Sequence, residues 1–385
     1  MTTALVTGGA GLIGSHIVDA LREEGVRVRV LDQLVRPTHR GRPDWLRDDV
    51  EYLVGDVRRP HLLGEAVRGV DLLFHLAAFG GFAPGTAPYF DVNVTAFCRI
   101  LEAAVAVGAP LRRAVIASSQ AVYGEGAAAC ADHGPFQPAP RDPALLAAGR
   151  WEVPCPACGR PSEPRPTPEG AANPSSPYAI SKHVLEQVAL RLAPAQGVAT
   201  TMLRFGLTYG PRQSATNPYC GIISLFSQRM LRRRPIVVYE DGLQTRDFVN
   251  VVDVARANLA VAFDDRAAGQ VYNVGTGVGT TVLQVIDALG ELLGVEPDVR
   301  RPGWYRSGEV RHLLTDADAL NGLGWKPTVP VMDGLAVFVD WFRDRPLPPD
   351  PFPRGFARMR RGRIVHAARG AAPLDTPMSR SASNG

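Results

Sequence analysis

Short apolar runs alternate with segments of helical periodicity along the first half of the chain. The runs lie at 3–7, 26–31, 51–54, 70–76, 112–117 and 199–204, and apolar residues recur at helical spacing in stretches such as 92–107 and 180–192. Continuous apolar runs are typical of strands buried on both faces, and their alternation with helices is typical of βαβ units. The pattern predicts an α/β fold built on a doubly wound parallel sheet.

This rhythm changes along the chain. Residues 125–172 are rich in proline, contain three cysteines and have no clear period, which predicts an ordered insertion or a lid. After about residue 205, short strands and helices mix until a helix near 331–343. We therefore expect a sheet domain over 1–204, which includes the insertion, and a smaller C-terminal lobe over 205–345 that is partly interleaved with the sheet.

The remaining residues, 346–385, are expected to form a basic, disordered tail, because they lack hydrophobic periodicity. Residues 351–385 hold seven arginines and one aspartate, which leaves 35 basic and 37 acidic residues in 1–350. A solvated extension is favoured over a contact with nucleic acid or a membrane. No apolar run reaches the roughly 20 residues of a membrane span, and the N-terminus enters a strand without a signal peptide, which predicts a cytoplasmic protein.

The first apolar run ends in the glycine-rich turn GGAGLIGSH. Gly8, Gly11 and Gly14 follow a strand and open a helix, where a pyrophosphate can approach backbone N–H groups and the positive end of the helix dipole. Tight packing alone is the other interpretation, but the strand–turn–helix context favours a dinucleotide. The second run ends at Asp32, whose carboxylate can accept hydrogen bonds from both ribose hydroxyls and repel a 2′-phosphate, so NAD is predicted rather than NADP.

The third and fourth runs end in further candidate contacts to the cofactor. Asp56 in VGDVR either contacts the adenine or caps its loop, and the small Ala77 and Ala78 in HLAA suit a place where the dinucleotide crosses the sheet edge. With their neighbours in the same motifs, the predicted cofactor-binding residues are Gly8, Gly11, Leu12, Ile13, Gly14, Asp32, Asp56, Val57, Leu76, Ala77 and Ala78.

Tyr178 and Lys182 in SPYAISK lie one helical turn apart, so both side chains share a face. A nearby ammonium stabilises phenolate and lowers the tyrosine pKa from about 10, which makes Tyr178 a candidate general base. Such a pair also occurs on solvated helices, but lysine is found only at 182 and 326 in this arginine-rich chain. Ser119, at the end of AVIASS, either caps its strand or hydrogen-bonds the reacting oxygen at the carboxyl edge of the sheet.

These motifs resemble those of the extended short-chain dehydrogenase/reductase family of NAD-dependent nucleotide-sugar epimerases and dehydratases, which has a Rossmann-type sheet. The matching segments span residues 3–345 and read TGGAGLIGS, SSQAVYG, YAISK, LRFGLTYGPR, RDFVNVVDVA and YNVGTG. The resemblance implies that residues 1–204 bind NAD and 205–345 bind the substrate. It also implies a catalytic triad of Ser119, Tyr178 and Lys182, with Asn93 and Ser118 near the cofactor beside Tyr178 and Lys182.

The resemblance also indicates a substrate and a reaction. Arg246 in RDFV and Arg306 in YRSGE match arginines that bind the substrate diphosphate, a task suited to the guanidinium fork. The implied reaction is oxidation at sugar C4 by NAD, with Tyr178 taking the hydroxyl proton, followed by return of the hydride to a 4-keto sugar. Dehydratases and decarboxylases of the family carry acidic groups before VYG, where this chain has Gln120 and Ala121.

A 4-epimerase acting on a dTDP- or UDP-hexose therefore fits best. The alternatives are a 4-ketoreductase or dehydratase on the same scaffold and, less favoured, a non-catalytic dinucleotide-sensing regulator. The family implies a homodimer, and neither nucleic acid nor a membrane is expected as a partner. The sugar pocket departs from the family pattern, since Gly206 and Leu207 stand where an aromatic residue and an asparagine are usual, and Asn217 is either a replacement contact or an ordinary loop residue. The predicted substrate-binding residues are Ser119, Asn217, Arg246 and Arg306.

The insertion carries two closely spaced pairs, Cys130 with His133 and Cys155 with Cys158. A cytosolic chain with five cysteines is not expected to have a disulfide framework. The C-x2-H…C-x2-C arrangement suits tetrahedral zinc, which would staple a loop too polar to form its own core. Paired cysteines at this place also resemble the dTDP-L-rhamnose 4-epimerase-like subgroup. The alternative is that these are surplus cysteines in a lid.

Overall fold

The computed structural model describes residues 1–36, 38–39, 41–81, 85–217 and 221–374. The strands are β1 (Thr3–Thr7), β2 (Arg27–Asp32), β3 (Glu51–Val54), β4 (Leu72–His75), β5 (Arg113–Ser119), β6 (Ala127–Cys130), β7 (Gly134–Phe136), β8 (Glu163–Thr167), β9 (Ala199–Phe205), β10 (Leu207–Tyr209), β11 (Ile236–Val237), β12 (Thr245–Asn250), β13 (Val271–Val274), β14 (Gly279–Thr281), β15 (Val299–Arg300), β16 (Trp304–Arg306), β17 (His312–Thr315) and β18 (Val365–Ala367).

The helices are α1 (Leu12–Glu23), α2 (Pro60–Val67), α3 (Ala87–Phe90), α4 (Ala96–Ala106), α5 (Pro143–Ala147), α6 (Pro177–Leu192), α7 (Ile222–Leu231), α8 (Val251–Ala262), α9 (Val282–Leu293), α10 (Asp318–Asn321), α11 (Val331–Arg343) and α12 (Phe352–Arg361). A π-helical turn over Asp91–Thr95 joins α3 to α4. In the described part of the chain, no helix combines the length and apolarity needed to span a membrane.

The central sheet is parallel throughout its described strands, in the order β13-β9-β5-β4-β1-β2-β3. The chain runs outward from β1 to β3 and then crosses to β4 on the other side of β1. The strand order therefore reverses between β1 and β4, and ligands of such sheets bind in the crevice outside the carboxyl ends of the strands at this point. The predicted doubly wound α/β fold is confirmed.

Both faces of the inner strands are buried, which explains why β1 and β4 are largely apolar. Alternate residues of β1 face opposite sides, so Val6 packs with α1 and α8 while Leu5 packs with α2, α4 and α6. Both side chains have no exposed surface. Helix α6 begins at a Ser176 cap, whose Oγ accepts the Ala179 N–H, and a proline at its first position, as its sequence predicts.

A second sheet, in the order β10-β12-β17-β8-β6-β7 with β14 beside β12, forms the smaller lobe. Its core packs Phe248 of β12 against α7, α9 and α11. Strands β6, β7 and β8 come from the insertion, so this proline-rich region is ordered and builds one edge of the lobe. Strand β13, from the segment 205–345, belongs to the central sheet instead.

The expectation of a disordered tail is wrong for much of the segment after residue 345. Residues 352–361 form α12, and 365–367 form β18, which pairs antiparallel with β16. Helix α12 buries Phe352 and Met359 in a small apolar cluster with Trp304 and Val365. Tertiary packing on the lobe therefore orders a segment whose composition alone favours disorder, and residues 375–385 lie outside the described part of the chain.

We expect the substitution Leu185→Ala in α6 to lower the free energy of unfolding by about 2–5 kcal/mol, because Leu185 is fully buried in the core and its removal leaves a cavity. Leu192 on the same helix is 54% exposed, so Leu192→Ala is the matched control and costs less than about 1 kcal/mol. Urea unfolding of both variants measures the difference. Equal losses for the two substitutions would contradict the described burial of this helix face.

Candidate active site

The glycine-rich turn lies at the point where the sheet order reverses. A Cβ at Gly8 would approach the Ala77 backbone nitrogen to 2.9 Å, and a Cβ at Gly14 would lie 2.3 Å from the Gly8 carbonyl oxygen. Gly8 also has a φ of +71°, which favours glycine. At Gly11, the residue before α1, the nearest contact of an added Cβ is an ordinary 3.4 Å. Gly8 and Gly14 are thus required for packing, whereas Gly11 keeps the start of the helix open to a ligand.

The residues around this turn fit NAD. Asp32, at the end of β2, accepts hydrogen bonds from the Ala10 N–H at 3.1 Å and the Leu34 N–H at 2.9 Å, which hold its partly exposed carboxylate beside the turn. The backbone past β4 is held by Thr7, whose Oγ1 accepts the Ala77 N–H at 3.3 Å. Leu12 and Ile13 open α1, and Leu76 and Ala78 flank Ala77. We call the turn at 8–14, together with Asp32 and Ala77, the glycine cradle. It has the backbone donors and the carboxylate that a dinucleotide needs.

Two other predicted cofactor residues lie after β3. Asp56 binds its neighbour Arg58, and this hydrogen-bonded guanidinium lowers the pKa of the Asp56 carboxyl. Val57 is buried in the core of the central sheet. The hydrogen bonds with Arg58 support the interpretation that Asp56 caps its loop. The predicted contact of Asp56 with adenine stays a prediction.

Asn93 is fully buried, and its side chain hydrogen-bonds two distant segments of the chain. Its Oδ1 accepts the Phe79 N–H at 2.7 Å, and its Nδ2 donates to the Phe79 carbonyl at 3.1 Å and to Ser181 Oγ at 2.9 Å. Ser181 lies on α6 between Tyr178 and Lys182. Asn93 therefore ties the chain that leaves β4 to the helix carrying the predicted catalytic pair.

The three predicted catalytic residues meet at the carboxyl edge of the sheet. Ser119 ends β5, its Oγ accepts the Ala121 N–H at 3.1 Å, and it hydrogen-bonds Tyr178. Lys182 is 2% exposed and donates from Nζ to the Ala117 carbonyl oxygen at 2.8 Å. Burial lowers the pKa of Lys182 to about 8, so the ammonium form still prevails at neutral pH.

The expected lowering of the Tyr178 pKa is wrong for the chain by itself. Burial raises the pKa of Tyr178 above its usual range, and the hydrogen bond with Ser119 opposes this only in part. The physical reason is desolvation, which disfavours a phenolate whatever its partners. Tyr178 is therefore a weaker acid in the chain by itself than its sequence predicts.

A buried carboxylate behind this site was not predicted. Glu186, one turn after Lys182, accepts hydrogen bonds from Ser118 Oγ and from Arg204, at 2.7 Å for the Arg204 Nη2. The Ser118 hydroxyl is thus bound to Glu186, and its implied place near the cofactor stays a prediction. The i,i+4 spacing of Lys182 and Glu186 is the signal that would have found this residue.

The two arginines predicted to bind a diphosphate share one carboxylate, that of Glu309. Arg246 Nη2 lies 2.5 Å from Glu309 Oε1, and Arg306 pairs with Oε2 of the same residue. Although burial opposes it, the charges of Arg306 and Arg246 keep the pKa of Glu309 below its usual range. The structure therefore brings both guanidinium groups together.

The backbone N–H of Asn217, the fourth predicted substrate residue, donates to Ser214 Oγ at 3.3 Å on a loop.

The four predicted metal ligands converge as well. Cys130 Sγ lies 3.4 Å from His133 Nδ1 and 3.8 Å from Cys158 Sγ, and Cys155 Sγ lies 3.6 Å from His133 Nδ1. All four ligand atoms lie within 4.8 Å of one another. A tetrahedral zinc site with metal–sulfur bonds of about 2.3 Å has sulfur–sulfur edges of about 3.8 Å. The donor set and its spacing fit zinc.

The chain matches the NAD dependent epimerase/dehydratase family over residues 4–143 and 155–275. It belongs to this family. A dTDP-L-rhamnose 4-epimerase of Burkholderia thailandensis is 34% identical over 350 residues, which cover 88% of this chain and 94% of that protein. A UDP-glucose 4-epimerase of Mycolicibacterium smegmatis is 31% identical, covering 89% of this chain and 98% of the relative.

Solved structures of the family share the fold. The UDP-glucose 4-epimerase of Thermotoga maritima with UDP-glucose superposes with a TM-score of 0.71 at 30% identity, covering 89% of this chain and 99% of that one. The UDP-glucose 4-epimerase of Thermus thermophilus in complex with NAD has a TM-score of 0.70 at 29% identity, covering 90% of this chain and 100% of that one. Family members with other reactions are also similar, including a dTDP-glucose 4,6-dehydratase of Streptomyces antibioticus at 28% identity.

The contrast between two glycines gives a test of the cradle. Gly11→Ala is expected to leave the thermal stability of the NAD-free protein unchanged but to weaken NAD binding by about tenfold or more, because its methyl group enters the space left for the pyrophosphate. Gly14→Ala is expected to lower the stability of the NAD-free protein by about 1–3 kcal/mol, because its methyl group meets the Gly8 carbonyl. Calorimetric unfolding and NAD titration separate the two effects. Normal NAD affinity in Gly11→Ala would show that the dinucleotide lies elsewhere.

Proposed function

We propose that this protein is an NAD-dependent 4-epimerase of nucleotide-diphosphate hexoses. The observation that carries the proposal is that Tyr178 hydrogen-bonds Ser119 while Lys182, on the same helix, hydrogen-bonds Ala117, so that both helix residues contact the carboxyl end of β5. The named 4-epimerases among the relatives, aligned along nearly their whole length, support it. A homodimer and a preference between dTDP and UDP sugars stay predictions of the family resemblance.

The side chains of the site have separate tasks in this reaction. Tyr178 takes the proton of the sugar C4 hydroxyl, and Ser119 hydrogen-bonds the same oxygen and keeps it in line with Tyr178. The Lys182 ammonium, held by the Ala117 carbonyl, adds positive charge that favours the phenolate. NAD, when bound, would supply the acceptor for the C4 hydride and, once reduced, the donor that returns it to C4, and its positive ring charge would act in the same direction as the ammonium. Tyr178 then returns the proton to O4 once the 4-keto sugar presents its other face.

Arg246 and Arg306 bind the diphosphate and leave the sugar free to turn between these two steps. Glu309 already holds both guanidinium groups in place by ion pairs. The two arginines are therefore preorganised and lose less conformational freedom when the substrate binds. A diphosphate brings more negative charge than one carboxylate and offers more acceptor oxygens. We therefore expect the substrate to take over part of the hydrogen bonding that Glu309 now provides.

The residues before the buried Tyr123 favour epimerisation over dehydration. Water loss needs an acid and a base near the sugar, and this chain has Gln120 and Ala121 in the short helical turn after Ser119. Neither side chain transfers protons at neutral pH. A dinucleotide-sensing regulator is less well supported, because such a role needs no tyrosine and lysine held at a reaction centre.

The substitution Tyr178→Phe is expected to reduce epimerisation by about 100- to 10,000-fold, because it removes the proton acceptor and keeps the ring. The assay is incubation with uridine and thymidine diphosphate sugars and NMR readout of C4 stereochemistry, with NAD content measured in parallel. Tyr272→Phe is the control, since the Tyr272 ring lies near Asp264 and Arg266 and not at the catalytic centre. Full activity of Tyr178→Phe would exclude the mechanism, and a net consumption of reduced cofactor would indicate a ketoreductase.

We also propose that Cys130, His133, Cys155 and Cys158 bind a structural zinc ion. Two of the ligands end or follow β6, and the other two lie in the loop between α5 and β8. The stretch between the two pairs buries only a few apolar side chains, among them Leu146 and Val153, so metal bonds would add a cross-link to a small core. With four protein ligands, the site leaves no open position for catalysis.

Metal analysis of the purified protein is expected to give about one zinc per chain, and Cys155→Ala is expected to lose the metal and lower the Tm by about 5 °C or more. Cys98→Ala is the control, because Cys98 lies on α4 outside the cluster. A metal-free wild-type protein with the same Tm before and after zinc addition would refute the zinc site.

A further inference from the structure

Strand β16, which carries Arg306, has its strand partner in the C-terminal segment. Among the described residues, β16 pairs with β18, with Arg306 opposite Val365. The Ser307 N–H donates to the Ile364 carbonyl at 2.9 Å, and the Ala368 N–H donates to the Gly303 carbonyl at 3.0 Å. These two bonds fix the backbone on both sides of the arginine.

Side chains of the same segment surround the residues next to Arg306. Trp304 has no exposed surface; its ring stacks on Phe356 of α12 with centroids 4.9 Å apart, and its Nε1 donates to the Ala372 carbonyl at 2.6 Å. Tyr305 stacks on His366 at 5.3 Å. Without residues 351–374, a buried tryptophan and one edge of β16 would face water.

The segment is itself held by the lobe and by the insertion. The Arg229 guanidinium of α7 lies over the Phe352 ring at 4.4 Å, and it also pairs at 2.5 Å with Asp350, just before the segment. On the other side, the Arg369 N–H donates to the Ala147 carbonyl at the end of α5 at 2.8 Å. Residues 351–374 therefore connect β16 with α7 of the lobe and with α5 of the insertion.

We propose that residues 351–374 are a positioning element for Arg306 and thereby set the affinity of the site for a nucleotide diphosphate. The inference rests on the proposed role of Arg306 in binding the diphosphate. The segment touches neither Tyr178 nor the glycine cradle in the contacts described, so its loss weakens substrate binding while NAD binding and the rate at saturating substrate persist. An ion pair of correct geometry depends on a fixed backbone, because a guanidinium on a loose strand loses its alignment with both Glu309 and the ligand.

The test is calorimetric titration with uridine diphosphate and thymidine diphosphate, which needs no turnover. The chain shortened to end at Asp350 and the variant Phe356→Ala are compared with Arg306→Ala and with Arg354→Ala, an exposed control on the same helix. A hydrogen-bonded charge lost from a ligand costs a factor of about 10 to 100 in Kd, which we expect for Arg306→Ala and for the shortened chain. Phe356→Ala is expected to raise Kd by about threefold to tenfold, and Arg354→Ala by less than about twofold.

The outcomes separate this inference from the proposed function. If Arg306→Ala weakens binding while both the shortened chain and Phe356→Ala bind as the wild type does, the positioning role is refuted and the proposed function stands. If Arg306→Ala binds normally, the proposed role of this arginine fails, and the inference fails with it. Should the shortened chain not fold, as judged by circular dichroism, Phe356→Ala decides. A purely structural role would lower the Tm of Phe356→Ala without a change in Kd, and that result also overturns the inference.

Discussion

The turn that follows β1 approaches the chain that follows β4 very closely, and the rest of the site depends on this constraint. The turn at Gly8 packs against the chain at Ala77 so tightly that no side chain fits between them. This contact brings the start of α1, the carboxylate of Asp32 and the edge of β5 to one crevice. The residues that follow parallel strands share this crevice because all the strands end at the same edge of the sheet.

Buried charges organise the layer behind the crevice. Glu186 of α6 is held by Arg204 of β9, and Glu309 is held by Arg246 and Arg306 in the smaller lobe. Removing a charge from water costs several kcal/mol unless a partner compensates it, so the loss of Arg204 would leave the buried Glu186 carboxylate without its compensating charge. The first pair supports the helix that carries the predicted base, and the second keeps two cations together where a diphosphate is expected. The residues predicted to act in catalysis and those predicted to bind the substrate thus lie on separate networks of buried charges.

The helices and strands that were predicted from the sequence are those whose pattern of apolar residues is clear within a few consecutive positions. Six of the seven strands of the central sheet were predicted, because strands buried on both faces are largely apolar, as in LLFH of β4. Strand β13, VYNV, was not predicted as part of this sheet. Strands β6 and β8 were not predicted as strands, because they consist largely of alanine and proline and pair only at one edge of the lobe. Helix α12 was missed although Phe352, Phe356 and Met359 recur at helical spacing, since arginines dominate its composition.

The sequence by itself determined which residue types stand at the glycine turn, at the tyrosine and lysine one helical turn apart, and in the two chelating pairs. These features depend on spacings of a few residues, and local backbone geometry turns such spacings into contacts. Only the tertiary structure decided that Glu309 joins both arginines, that the C-terminal segment covers the strand of Arg306, and that burial raises the Tyr178 pKa. Burial and long-range pairing depend on how distant segments pack, and no short stretch of sequence carries that information.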